Sequence, residues 1–307
     1  MSPRSADAAD TAGDDVRWLQ FGFSIAGTQK SGTSSLSALL DEHPQVKRAP
    51  KKEMHFFDDE RRRWGREDYS SYRVPTRGRH TTVGDATPIY LWWPGALERM
   101  HTYNPEMLII GIFRDPLERL FSQWMMVVNK WPGQALDWPE FITRHAPDGL
   151  EERVPPVWKR KGYKMLSGVG RGFYGAQVER AEQIFGRERV HWVEFRAFLA
   201  DHVGTLDALT DHLGLERFAE HPELPHGMKG KVGVRGTAPV ATDLERLAER
   251  YRDDLALFRE RTGLEVGHWP VQRILDGTLD PAELAATFAA KVVPSTTIGP
   301  AERRRKG

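Results

Sequence analysis

The sequence predicts an α/β fold: a mainly parallel central sheet with helices on both faces and a P-loop-like turn near its start. Three observations predict it. Met107 to Phe113, MLIIGIF, is a continuous apolar run bounded by Pro105 and Asp115-Pro116, the pattern of a strand buried on both faces. Trp18 to Ala26, WLQFGFSIA, is a second apolar run, and it leads through a glycine-rich turn into a helical pattern. Downstream, stretches of strand length alternate with stretches of helical period, as parallel strands and their crossover helices require. In such a sheet ligands gather at the C-terminal ends of the strands.

The elements follow in order. Residues 1–15 are small, polar and acidic, and read as a loose arm. Trp18 to Ala26 reads as one buried strand. After the turn GTQKSGT, Ser34 to Leu40 places Leu36, Leu39 and Leu40 on one helical face, and Pro44 ends it. Residues 47–80 are charged and aromatic with little periodicity, so loops and short helices are expected. Thr81 to Asp85 suits a short strand. Pro116 suits an early helix position, and the helix that follows carries Leu117, Leu120, Phe121, Trp124 and Met125 on one side.

Residues 129–172 are rich in Trp, Pro, Lys and Gly, and read as a lid or insertion rather than core. Phe173 to Phe185 is an amphipathic helix, Val190 to Phe195 a strand, and Leu206 to Leu215 a helix ended by Gly214. His221 to Pro239 is a Gly/Pro-rich loop. Asp243 to Thr262 is a strong helix: Leu244, Leu247, Tyr251, Leu255 and Phe258 recur at spacings of 3, 4, 4 and 3, and Gly263 is a natural C-cap. These elements are expected to form a single domain over residues 16–275, followed by a C-terminal helix and basic tail over 276–307.

Composition narrows the function. Of 307 residues 39% are hydrophobic and 28% charged, enough apolar side chain for a packed core. Lys plus Arg number 44 against 43 Asp plus Glu, so there is no global attraction to nucleic acid or to a membrane surface. The absence of cysteine excludes disulfides, thiolate nucleophiles and cysteine-held metal, and fits a reducing, cytoplasmic setting. The apolar runs fall short of the ~20 residues of a membrane helix. The histidines are scattered and HExxH is absent, so no metal is expected.

Two places carry chemistry. The first is Gly27-Thr28-Gln29-Lys30-Ser31-Gly32-Thr33-Ser34-Ser35. Glycines let the backbone aim its N–H groups inward, and the following helix adds the positive end of its dipole. Lys30 adds a charge, and Thr33, Ser34 and Ser35 add hydroxyls, all suited to a phosphate. It is not the ATPase loop GxxxxGK(S/T): Gly27 and Gly32 keep that spacing, but Thr33 stands where the lysine belongs, and the lysine lies inside the loop at position 30. The second is Arg114, at the end of MLIIGIF, with Ser122 about two helical turns further on. A guanidinium and a hydroxyl so placed can share one anion; alternatively, Arg114 pairs with Asp115 or Glu118.

These residues carry a resemblance. GTQKSGTSSL resembles the 5′-phosphosulfate loop of sulfotransferases that use 3′-phosphoadenylyl sulfate (PAPS), and IIGIFRDPLERLFSQW resembles their 3′-phosphate strand and helix. KKEMHFFD at 51–58 and GRGFYGAQVERAEQIFGRERVHWVEF at 170–195 are similar to segments of the heparan sulfate sulfotransferase branch and its bacterial relatives. The resemblance runs in order over residues 18–270. It implies that Lys30 contacts the sulfonate and bridging oxygen, that Ser31, Gly32, Thr33 and Ser34 hold the phosphosulfate, and that Arg114 and Ser122 hold the 3′ phosphate. It implies Glu53 as the base, and Lys229-Gly230-Lys231 as a basic loop over the nucleotide. Asp85-Ala86-Thr87-Pro88-Ile89-Tyr90 resembles a substrate-side segment, with Ala86 where the heparan enzymes tend to carry lysine.

The expected activity is therefore in-line transfer of a sulfonate from PAPS to a hydroxyl of a glycan, glycolipid or small molecule, leaving PAP and needing no metal. A carboxylate base is worth roughly 10²–10⁴-fold. His55 is the second candidate base, since its ordinary pKa is near neutrality. Trp131, Trp138, Trp158 and Tyr163 lie among basic residues and suit a sugar, aryl or anionic acceptor as well as ordinary packing. A P-loop kinase or NTPase and a non-catalytic nucleotide-binding protein are the alternative readings.

Overall fold

The site-bearing sheet grows from strands whose apolar side chains alternate between two helix layers. The computed structural model describes residues 16–66, 69–70, 72–131, 136–144, 160–225 and 233–293. In chain order the elements are β1 (Arg17–Leu19), β2 (Phe23–Gly27), α1 (Thr33–Leu40), β3 (Val46–Lys47), β4 (Val74–Thr76), β5 (Thr82–Asp85), α2 (Ala96–Tyr103), β6 (Leu108–Phe113) and α3 (Pro116–Lys130). There follow α4 (Trp138–Thr143), α5 (Arg160–Leu166), α6 (Tyr174–Phe185), β7 (Val190–Glu194), α7 (Phe195–Ala200) and α8 (His202–His212). The last are β8 (Val234–Arg235), α9 (Ala241–Thr262), α10 (Pro270–Leu275), α11 (Pro281–Ala289) and β9 (Val292–Val293).

The central sheet has five strands in the order β3-β5-β2-β6-β7, and every pairing is parallel. Along β6, Ile110 and Ile112 face a cluster with Leu36, Leu39, Phe198, Leu206 and Leu209, while Ile109 and Phe113 face a larger one with Leu97, Met100, Leu120, Val178 and Phe258. Helices α1, α7 and α8 thus cover one face, and α2, α3, α6 and α9 the other, as period-two alternation dictates. The strand tips of β2 and β6 come side by side, joined by Thr28 N–H donating to Ile112 O at 2.9 Å.

Four expectations need correction. The apolar run at 18–26 is two strands: Gln20-Phe21-Gly22 separates β1 from β2, and β1 pairs antiparallel with β4 in a small sheet of its own. Trp18 is consequently 59% exposed. Residues 47–80 contain β4 and, among the described residues, no helix. The 129–172 segment is core where it is described: Trp138 and Tyr163 are buried, Trp138 against Phe121 and Trp124 with its indole N–H donating to Asp243, and Tyr163 against Trp92. Trp138 and Tyr163 thus record packing of α4 and α5 onto the main cluster. The expected 221–239 loop contains β8, paired with β9. The acidic arm, the basic tail, Trp158 and Lys229-Gly230-Lys231 lie outside the described residues. Among the described residues, no helix is long and apolar enough to cross a membrane.

Candidate active site at the strand tips

The loop between β2 and α1 is fastened by its own hydroxyls. Thr28 Oγ1 donates to Ile112 O at 3.1 Å and shares a hydrogen bond with Ser31 Oγ at 2.7 Å. Ser31 is fully buried, so its side chain braces the turn from inside, while Thr33 is buried and Ser34 exposed. Gly32 holds φ +94°, and a Cβ there would come within 2.7 Å of the Phe195 ring. The turn ends at the first residue of α1, where unsatisfied N–H groups and the dipole favour an anion.

Lys30, half-buried, follows at φ 75°. Burial, then the charges of Arg114 and Lys52, hold its ammonium below the ordinary lysine value. Lys30 and Arg114 follow the ends of the adjacent strands β2 and β6. Arg114 Nε donates to Glu118 Oε2 at 2.9 Å, Glu118 also accepts from Arg196 at 2.9 Å, and the Arg114 backbone carbonyl accepts from Tyr174 OH at 2.9 Å. The Glu118 pairing therefore coexists with a guanidinium held at the strand tip. Ser122 is half-buried on α3, two turns beyond Arg114.

Glu53 stands on the loop after β3. Lys52 Nζ lies 3.5 Å from its carboxylate and also donates to Ser34 Oγ, which ties this loop to the phosphate turn. His55 Nε2 is 3.3 Å from Glu53 Oε2, and its Nδ1 is 3.0 Å from Asp58 Oδ2. Asp58 is fully buried and also accepts from Lys164 Nζ on α5 at 2.5 Å. The hydrogen bond to Asp58, then that to Glu53, raises His55 to about 9 against the opposing effect of burial. The hydrogen bond from His55 holds Glu53 below its usual value, against burial and with help from Lys52. Burial alone would raise Asp58, but His55 and Lys164 outweigh it and the net shift is downward. These shifts favour the imidazolium form of His55 and the carboxylate form of Glu53 near neutral pH, and both side chains are partly exposed.

The loop is braced from beneath. Thr87 Oγ1 accepts from Met54 N–H at 2.9 Å and donates to Asp85 Oδ1 at 2.6 Å, while Tyr72 OH donates to Asp85 Oδ2 at 3.1 Å. Tyr90 OH accepts from Phe56 N–H at 2.8 Å. Burial pushes Asp85 up to about 6 despite the hydrogen bonds from Thr87 and Tyr72. Ala86 is buried among the α1-side apolar residues.

The structure thus places the Lys30–Ser34 turn and Arg114 at the ends of the adjacent strands β2 and β6, and Lys52 links Ser34 of that turn to Glu53, which pairs with His55; Ser31 is buried. Sequence reasoning assigned no role to Gln29, Lys52, Asp58, Lys164 or Arg171. Asp58 closes the segment KKEMHFFD, but its reach back to His55 depends on His55 adopting φ 51°, which no spacing rule reveals. Among the described residues, no group of three or more His, Asp or Glu could hold a metal ion.

Comparisons with known proteins point to sulfotransferases. A model of the sulfotransferase family matches residues 72–220. The chain is 30% identical over 193 residues to heparan sulfate glucosamine 3-O-sulfotransferase 6 of Homo sapiens, covering 63% of this chain and 52% of that protein. It is 26% identical over 266 residues to heparan sulfate glucosamine 3-O-sulfotransferase 3B1 of Homo sapiens, covering 79% and 63%. The chain therefore spans only about half to two thirds of these relatives. A solved sulfotransferase from Alicyclobacillus acidocaldarius matches with a TM-score of 0.64 at 26% identity, over 82% of this chain and 99% of that one.

Proposed function

We propose that this chain, which belongs to the sulfotransferase family, moves a sulfonate from PAPS to a hydroxyl of a carbohydrate or small-molecule acceptor. One observation supports the donor assignment: Lys30 and Arg114 put two cations at the tips of neighbouring parallel strands, in the space beside the turn that opens α1. A molecule with two separated anionic groups fits such a space. The turn from Gly27 to Ser34 and the α1 N-terminus hold its phosphosulfate end, and Arg114 with Ser122 holds its 3′ phosphate.

The chemistry then follows from placement. Glu53 takes the proton from the acceptor hydroxyl, whose oxygen bonds to sulfur as the bond from sulfur to the bridging phosphate oxygen breaks. Lys30 stabilises the negative charge left on that oxygen, and PAP is released. His55, held as a cation by Asp58, keeps Glu53 ionised and aimed, so its part is positional rather than that of a second base. The family relation and the hydroxyl-directed names of the relatives support a carbohydrate as one acceptor class.

The test is incubation with labelled PAPS and a panel of glycans, glycolipids and hydroxylated small molecules, read by mass spectrometry for an added sulfonate. Calorimetry with PAP checks the donor site alone. Transfer to no acceptor together with absence of PAP binding would remove this reading.

A further inference from the structure

Arg171 ties the phosphate turn to α5. It lies in the short turn Gly170–Gly172 before α6 and is 4% exposed. Its Nη1 donates to Gln29 Oε1 at 2.7 Å, its Nη2 to the Lys164 carbonyl at 2.6 Å, and its Nε to Ser167 Oγ at 3.2 Å. The guanidinium also lies 5.0 Å over the Trp92 ring. Burial, and then the charge of Arg119, lowers it to about 9, and Asp58 and Glu53 are among the anions that offset this. A buried cation is unfavourable unless its geometry and partners are good, and an apolar side chain could fill the same volume. What the planar fork adds is simultaneous contact with two separate segments.

Those segments are the two working parts. Gln29 immediately precedes Lys30 in the phosphate turn. Lys164 holds Asp58, which holds His55, which holds Glu53. Lys52 in turn joins Glu53 back to Ser34 of the same turn. The polar contacts therefore form a closed circuit from the phosphate turn through Arg171 to the base and back.

We propose that Arg171 is a positioning residue that couples the donor turn to the alignment of the base, acting through Gln29 on one side and Lys164 on the other. The inference rests on the donor assignment above, and its test separates the two. PAP affinity is measured by calorimetry on wild type, Arg171→Met, Gln29→Ala, the double variant and Arg171→Lys, with thermal unfolding as the check on folding. Each single substitution is expected to weaken PAP about tenfold, the double to be no weaker than the worse single, and Arg171→Lys to recover part of the loss. With saturating PAPS, Arg171→Met lowers kcat as well as raising KM for the donor, whereas Gln29→Ala acts on KM.

Hydrogen exchange of the amides at 28–33 in the free protein supplies a readout that needs no donor: about tenfold faster in both single variants, with α9 unchanged. Losses that multiply to about a hundredfold in the double variant, an unaltered kcat in Arg171→Met, or unaltered loop exchange would each overturn the coupling. If Arg171→Met does not fold, exchange in Gln29→Ala alone decides it. Wild type that does not bind PAP would sink the donor assignment, while the exchange measurement still judges Arg171.

Discussion

His55 Nε2 lies 3.3 Å from Glu53 Oε2. The contact makes the histidine a fixed cation beside the carboxylate, because Asp58 grips its other nitrogen at 3.0 Å. A histidine free on one side would titrate near neutrality; this one is raised to about 9.

Glu53→Gln should therefore lower the rate of sulfonate transfer by roughly 10²–10⁴-fold while leaving PAP affinity within about twofold, since an isosteric amide removes the base and keeps the shape. Rate assays with calorimetry on the same preparation check both halves.

The pH profile should be broad. Glu53 is depressed, so its contribution is present above its unfolded value and lost as pH falls through the lower folded one. His55 is raised, so its contribution is full below 6.5 and lost as pH rises through about 9. The alkaline limb also includes Lys30, whose value is lowered. His55→Asn should move the acid limb upward, because Glu53 loses the hydrogen bond that depresses it; kcat/KM measured between about pH 4 and 10 reads this. An acid limb that stays in place would show that His55 does not tune Glu53.

Lys30→Ala and Arg114→Ala should each weaken PAP by about 10- to 100-fold. Lys30→Ala should also depress kcat, since its charge serves the leaving oxygen, whereas Arg114→Ala should act mainly on donor KM. Titration calorimetry and steady-state kinetics separate them.

Gly32→Ala should disable the turn from two directions. Its φ of +94° is left-handed, and the new methyl would meet the Phe195 ring at 2.7 Å. Backbone strain alone is about 1–2 kcal/mol, so a lower Tm and a larger loss of PAP binding are expected together.

Asp85→Asn should change how stability depends on pH. Burial raises Asp85 to about 6 from 3.8. The native state thus prefers its protonated form, and its contribution is full below 3.8 and lost as pH rises through about 6. The amide has no such loss, so the Tm difference between variant and wild type should grow in favour of the variant from about pH 4 to pH 7. A difference that is flat with pH would mean that Asp85 stays ionised throughout.

What the chain declared about itself depended on range. The continuous apolar run of β6, the heptad-like spacing of α9 and the glycine turn before α1 are local patterns, and each lies where its residues predict. The split between β1 and β2 was hidden, because one glycine in an aromatic run does not show that the chain leaves one sheet and enters another. The lid reading failed at Trp138 and Tyr163 because composition cannot distinguish an aromatic face offered to a ligand from one packed on Trp124 or Trp92. At the site, Lys30 and Arg114 were legible as strand-tip cations. Lys164 and Arg171 were not, since they meet Asp58 and Gln29 across 106 and 142 residues of chain.

The pairing of Val234 with Val292 gives the distal end of the chain a hold on its middle. Shortening the protein after α11 would therefore remove the partner strand of Val234 and Arg235 without touching Lys30, Glu53 or Arg114. A trimmed version would keep the central sheet and its two helix layers while β8 loses the strand it pairs with.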